Sequence, residues 1–190
     1  PSEVVLLFDW APESNELSAG WAEAAGDALV SVLVGLGLID PLAGADNLPL
    51  HFIGFDAGAV VTSEAVERLA SFRIPVDHLT YLDPYDFNQD IRPDVAQEID
   101  GLGTSREYSA EVWNNVTFAD TYYQTAGAPD GRPIPGAYNC LLATGNPEDV
   151  TLPDPEIPSD EPDPHRYVWQ TFYLETVTNS LPTAFRGYDY

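Results

Sequence analysis

The stretch Leu50–Gly58 reads LHFIGFDAG and has the layout of a nucleophile elbow. An apolar run (Leu50, Phe52, Ile53) ends in Gly54-Phe55-Asp56-Ala57-Gly58, and a helical pattern follows at once from Ala59 to Phe72. In a G-x-S-x-G turn, glycines flank the nucleophile because the strained backbone leaves no room for neighbouring side chains. Here Gly54 and Gly58 are in place, but the central residue is aspartate. A carboxylate, with an ordinary pKa of about 3.9, leaves far more readily than an alkoxide, so an adduct of Asp56 with a carboxylic ester collapses backwards. Attack at saturated carbon differs, because it gives an alkyl ester that a histidine-activated water can later hydrolyse. The N–H of Ala57, the residue after the elbow, is the visible donor to a developing oxyanion. Asp56 also stands at a helix N-terminus, where a negative charge gains about 0.3–1 kcal/mol whether or not it reacts.

An acid and a base are needed beside it. Val76–Leu82 reads as a strand running into Asp83-Pro84, and in open α/β sheets the chemistry sits beyond the carboxyl ends of the strands. Asp83 and Asp56 both fall there, although Asp83 before a proline could serve only to cap a turn. Asp120, near the end of a later strand, is the second choice of acid. Of the three histidines, His51 and His78 lie at strand starts and read as structural. His165 follows a long loop able to fold over the sheet, which makes it the candidate base.

These residues must be carried by regular elements. Val4-Val5-Leu6-Leu7-Phe8 is a continuous apolar run of the kind covered on both faces in a parallel sheet. Residues 19–37 read as an amphipathic helix, with Ser18 as N-cap, an apolar face of Trp21, Ala25, Ala28, Leu29, Val32 and Leu36, and Gly37 and Pro41 closing it. The helix after the elbow should bury Val61, Ala65, Leu69 and Phe72 and expose Glu64 and Arg68 as an i,i+4 pair. Residues 85–111 read as irregular or weakly helical, Trp113–Gln124 as a fourth strand, 126–136 as a glycine- and proline-rich loop, and Arg166–Val177 as a closing helix. This alternation predicts one α/β domain over residues 1–190, with a mostly parallel sheet and helices on both faces. The segment 147–164 holds six prolines and seven acids and is expected to be a surface loop.

The composition narrows the partners. The chain has 31 acidic residues against 7 basic ones, all arginine, for a net charge of −24. Nucleic acid and anionic membranes are therefore poor partners, and no apolar run is long enough to span a bilayer. Such acidity fits a solvated, salt-adapted or extracellular surface. The acidic loop could bind calcium through carboxylate oxygens, but it lacks the D-x-[DN]-x-[DN]-G spacing, so solvation is the better reading. No other metal and no cofactor are called for. Cys140 is the sole cysteine, so no internal disulfide forms. Asn115-Val116-Thr117 matches the N-glycosylation pattern, a motif frequent by chance. The absence of methionine and the immediate apolar run are expected of a processed or N-terminally truncated chain.

Five stretches, in one order, together resemble the catalytic core of the pancreatic-type lipase superfamily of α/β-hydrolases. They are Phe8-Asp9-Trp10, His51-Phe52-Ile53-Gly54, Tyr81-Leu82-Asp83-Pro84, Phe118–Gly127 with Pro135-Gly136, and His165-Arg166-Tyr167. The resemblance spans roughly residues 4–177. It implies a secreted enzyme acting on a small-molecule ester or lipid, with Asp56, Asp83 and His165 at the triad positions. Two departures stand out: Asp56 with Phe55 where the family has serine and histidine, and no strand bearing the family's first oxyanion donor. Haloalkane dehalogenases and epoxide hydrolases resemble the chain in having aspartate at the elbow, and insect yolk proteins in lacking its serine. The resemblance therefore leaves three functions: an ester hydrolase with an altered nucleophile, an aspartate-nucleophile hydrolase of halides or epoxides, and a noncatalytic binding or storage protein.

Overall fold

The computed structural model describes residues 4–10, 20–86, 109–145, 157–158 and 160–178. Four strands, β1 (His51–Phe55), β2 (Val76–Leu82), β3 (Val116–Thr125) and β4 (Tyr138–Thr144), form one sheet. They lie in chain order, and all three neighbouring pairs are parallel. The architecture is α/β, as expected. Parallel neighbours cannot be joined by a hairpin, and α2 (Gly58–Ser71) is the crossover between β1 and β2. A second helix, α1 (Gly20–Gly35), precedes a one-turn 3-10 helix at Gly44–Asp46.

Strand alternation sorts the core into two faces. Phe52, Leu79, Tyr81 and Ala119 point to the side covered by α2 and share one cluster with Leu69, Leu29 and Leu33. Leu82, of opposite parity, points the other way and packs with Leu142, Val168 and the rings of Tyr122, Phe172 and Tyr173. That second face is covered by α3, which is α-helical over Pro164–Tyr167, π-helical over Val168–Tyr173 and α-helical again over Leu174–Thr178. Helices on both faces are thus present. Asp163 caps α3, its Oδ1 accepting the Arg166 N–H at 3.0 Å, and Pro164 sits where its missing N–H costs nothing.

Several expectations are corrected. Val4–Phe8 joins no strand, and Val5 and Leu7 are about nine-tenths exposed. Its apolar run resembles a buried strand, but β1 pairs with β2 alone. In α1 the buried face is Ala22, Gly26, Leu29, Val30 and Leu33, while Trp21, Val32 and Leu36 face out. The reason is the crossing with α2. A side chain at Gly26 would meet the Glu64 Cβ at 2.7 Å, so the small-residue stripe sets the contact face. Because α1 covers α2, Glu64 is buried rather than exposed, and Phe72 is the exposed one. Arg68 reaches across to Asp27 of α1 at 2.7 Å instead of pairing with Glu64. Strand β4 lies in a stretch to which no element was assigned. Most of the acidic segment 147–164 and most of 85–111 lie outside the described residues, as does Ser18. Within the acidic segment Ile157 is buried in the second core cluster, while Pro158, Asp160, Pro162 and Asp163 are exposed.

Candidate active site

The elbow is built where α2 crosses β1. A Cβ on Gly54 would lie 2.6 Å from the Gly58 carbonyl and 2.8 Å from the Ala59 Cα, so only glycine lets the helix sit this close to the strand. Gly58 is a different case. A Cβ there would find nothing nearer than the Trp10 indole nitrogen at 4.0 Å, so crowding does not explain it. Between them Asp56 adopts φ +55°, the left-handed region that a non-glycine residue rarely enters. Its main chain is pinned from both sides: its N–H donates to Leu82 O at 3.1 Å, and its carbonyl accepts from Ala59 N at 3.0 Å. The elbow is therefore strained and held.

β2 ends at the adjacent position and delivers Asp83, also at positive φ (44°) and fully buried. Its N–H donates to Tyr122 O at 2.7 Å, which fixes the turn against β3. The first turn of α3 brings His165 over the carboxyl ends of β1 and β2. Its Nδ1 lies 2.7 Å from Asp83 Oδ2, and its Nε2 faces Asp56 Oδ1 at 3.8 Å. Three residues separated widely in the chain thus meet as acid, histidine and elbow residue. His165 lies inside a helical turn, not at the end of a loop, because Asp163 and Pro164 start the helix just before it. Phe55 lies against its ring, with centroids 4.6 Å apart, and also meets Trp169, which is 39% exposed.

Burial raises the Asp56 carboxyl above the usual carboxylate range. The neighbouring His165 and the Ala57 N–H pull it down, and Asp83 pushes it up. Ala57, the expected oxyanion donor, is buried and is the residue from which α2 starts. Asp56 Oδ1 is buried and has no hydrogen-bond partner among the described residues. This buried oxygen lies against an imidazole 3.8 Å away, beyond hydrogen-bond reach.

The remaining candidates form a separate group. Asp120 accepts from His78 Nε2 at 3.0 Å and from the Tyr122 hydroxyl at 3.2 Å, and His165 is bound by Asp83 instead. His51 stacks on His78 with centroids 4.0 Å apart, and its Nε2 is 2.9 Å from the Thr80 hydroxyl. Burial first, and His78 second, lower His51 to a pKa of about 4. These contacts fit the structural reading of both histidines. The Asn115 amide donates to Val66 O and Ile74 O, tying the end of α2 to the approach to β3. Among the described residues no group of three His, Cys, Asp or Glu is arranged to hold a metal ion, and no helix is long and apolar enough to cross a membrane.

One residue of the site was not singled out from the sequence. Gln124, at the end of β3, binds both oxygens of Asp83. Its only signal was position, one strand over from Asp83 at the carboxyl edge. No family model matches the chain, and no curated protein or solved structure is significantly similar to it.

Proposed function

We propose that the chain is an α/β-hydrolase-type hydrolase with the layout of lipases and esterases, acting on a small organic substrate, with Asp56 at the nucleophile position. The observation that carries this is the single line of contacts from Asp83 Oδ2 through the His165 ring, 2.7 Å on one side, to Asp56 Oδ1, 3.8 Å on the other. With aspartate in that place, the reaction these residues can complete starts at saturated carbon. The Asp56 carboxylate forms a carbon–oxygen bond while a halide, or the oxygen of a strained ring, departs with the bonding pair. His165 Nε2 then accepts a proton from water, and the hydroxide adds to the Asp56 carboxyl carbon. The alkyl oxygen leaves, taking that proton back from His165, and the carboxylic acid left on Asp56 restores the carboxylate by giving up its proton, to solvent when the leaving group was a halide and, by way of solvent, to the opened ring oxygen otherwise. Asp83 keeps the imidazole oriented and stabilises its protonated form.

Single turnover of a haloalkane in 18O-labelled water tests the reading. Label in the Asp56 carboxylate supports it, and turnover without such label overturns it.

A second reading is a carboxylic ester hydrolase whose nucleophile has been altered. The positive φ of Asp56 at the elbow favours it, since that is where such a turn carries a serine nucleophile. It expects Asp56→Ser to hydrolyse p-nitrophenyl butyrate with a burst that His165→Ala removes. If neither the chain nor that variant turns over any substrate, while lipid or partner binding survives His165→Ala, the noncatalytic binding or storage reading replaces both. An extracellular location belongs to the same proposal and rests on the lipase-like layout and the acidic surface.

A further inference from the structure

The carboxylate of Asp83 is held by more than His165. Gln124, itself fully buried, donates its main-chain N–H to Asp83 Oδ1 at 2.9 Å and its side-chain Nε2 to Oδ2 at 2.9 Å. Oδ2 is the same oxygen that faces His165 Nδ1. The orientation of the carboxamide follows from its surroundings. Nε2 faces three oxygens, those of Asp83 Oδ2, Gly127 O at 2.9 Å and Pro129 O at 3.0 Å. Oε1 accepts two N–H groups, from Ala126 at 2.7 Å and Gly127 at 2.9 Å. Turning the amide over would set oxygen against three oxygens and NH2 against two donors, so one orientation alone fits. On the other side of the carboxylate, Gly131 donates to Gln124 O at 3.0 Å, and a Cβ there would overlap Asp83 Oδ1.

We infer that Gln124 is a positioning residue for the acid–histidine pair: it locks the rotation of the Asp83 carboxylate so that Oδ2 stays in line with His165 Nδ1. A carboxylate with an N–H on each oxygen cannot turn without leaving a buried group unpaired. The loop after β3, wrapped around the carboxamide, holds the clamp in turn. Asparagine would be one methylene too short to reach both the loop and the acid. Glutamate would set a second carboxylate against Asp83 and two carbonyl oxygens. The inference rests on the proposed pairing of Asp83 with His165, and its test does not depend on turnover.

The experiment is proton NMR of the full chain in water, reading the Nδ1–H of His165. His51→Gln and His78→Gln assign that signal, and Asp83→Asn removes it. In Gln124→Met, with near-ultraviolet circular dichroism unchanged, the signal is expected to move upfield and to exchange with water faster. A folded Gln124→Met whose signal keeps both its position and its exchange rate overturns the inference and leaves Gln124 a loop anchor only. If that variant does not fold, the unaltered protein decides. The 15N-labelled side-chain amide of Gln124 is expected to shift in step with the titration of His165, and an amide that stays fixed across it overturns the inference. Absence of any turnover together with these signals would sink the hydrolase reading and leave the clamp standing.

Discussion

Asp56 Oδ1 and His165 Nε2 face each other across 3.8 Å, too far for a hydrogen bond and too close for a second side chain to intervene. At that spacing the Asp56 carboxylate is not tied to His165 by a hydrogen bond, so in the proposed reaction the carboxylate attacks first and the imidazole acts in the later hydrolysis. Asp56→Ala is therefore expected to abolish the covalent step, lowering turnover by about 10³-fold or more, with substrate binding much less affected. Stopped-flow kinetics on the substrate found by screening would separate the two.

In the proposed reaction the proton affinity of Asp56 sets an acid limit. Burial raises its pKa in the folded chain, so the carboxylate needed for attack is lost as pH falls through a value above the ordinary 3.8. The acid limb of the pH–rate profile should lie correspondingly high, and one at the ordinary carboxylate value would count against Asp56 as nucleophile.

Asp83→Asn removes the acceptor that holds His165 in one tautomer. By analogy with other acid–histidine pairs the expected loss in kcat is about 10⁴-fold, with KM nearly unchanged. Steady-state kinetics check this, and a loss confined to KM would assign Asp83 to binding instead.

Glu64 controls stability rather than chemistry. It is buried between α1 and α2, its Oε1 has no partner, and burial, then Glu67 and Glu23, raise it to about 8. Arg68 lowers it somewhat, and Asp27 raises it further. Below pH 4.5 it is protonated in both folded and unfolded chains and contributes nothing. As pH rises from 4.5 to about 8 only the unfolded chain ionises freely, so stability falls, by something on the order of 3–5 kcal/mol at the limit. Glu64→Gln should melt higher than the parent at pH 8 and at the same temperature at pH 4, as scanning calorimetry would show.

His51 acts in the opposite direction. Its folded pKa of about 4 lies below the ordinary 6.5, so the folded chain resists the proton that the unfolded chain accepts. Stability from this group is complete above pH 6.5 and is lost as pH falls toward 4. His51→Gln is expected to flatten the acid side of the melting-temperature profile and to leave the alkaline side unchanged.

Much of the site was legible because its parts are local patterns. The elbow shows itself in five consecutive residues, and Asp83 follows from a strand running into proline. The choice of Asp83 over Asp120 also follows from position, since Asp83 lies just past the end of its strand and Asp120 lies inside β3. The face of α1 was misjudged for a physical reason: packing on α2 is decided by Gly26, and a ranking by hydrophobicity gives glycine no weight. The same covering helix turned Glu64 from a surface charge into a buried one. Val4–Phe8 has the composition of a strand, but pairing depends on a neighbour that composition does not describe. β4 was overlooked although Cys140-Leu141-Leu142-Ala143 is an apolar run, because it follows a glycine- and proline-rich loop with no helix to announce a crossover. For Gln124 the sequence offers position alone, since its role depends on which atoms the loop from Ala126 to Gly131 brings against it.

The strand order β1-β2-β3-β4 has a consequence for synthesis on the ribosome. Among the described residues each strand after β1 emerges to find its neighbour already made, so the sheet can extend vectorially. His165 is the exception, lying 82 positions after the aspartate it contacts. The four described strands can thus pair before the candidate site exists, and acid, histidine and elbow residue come together only when α3 docks.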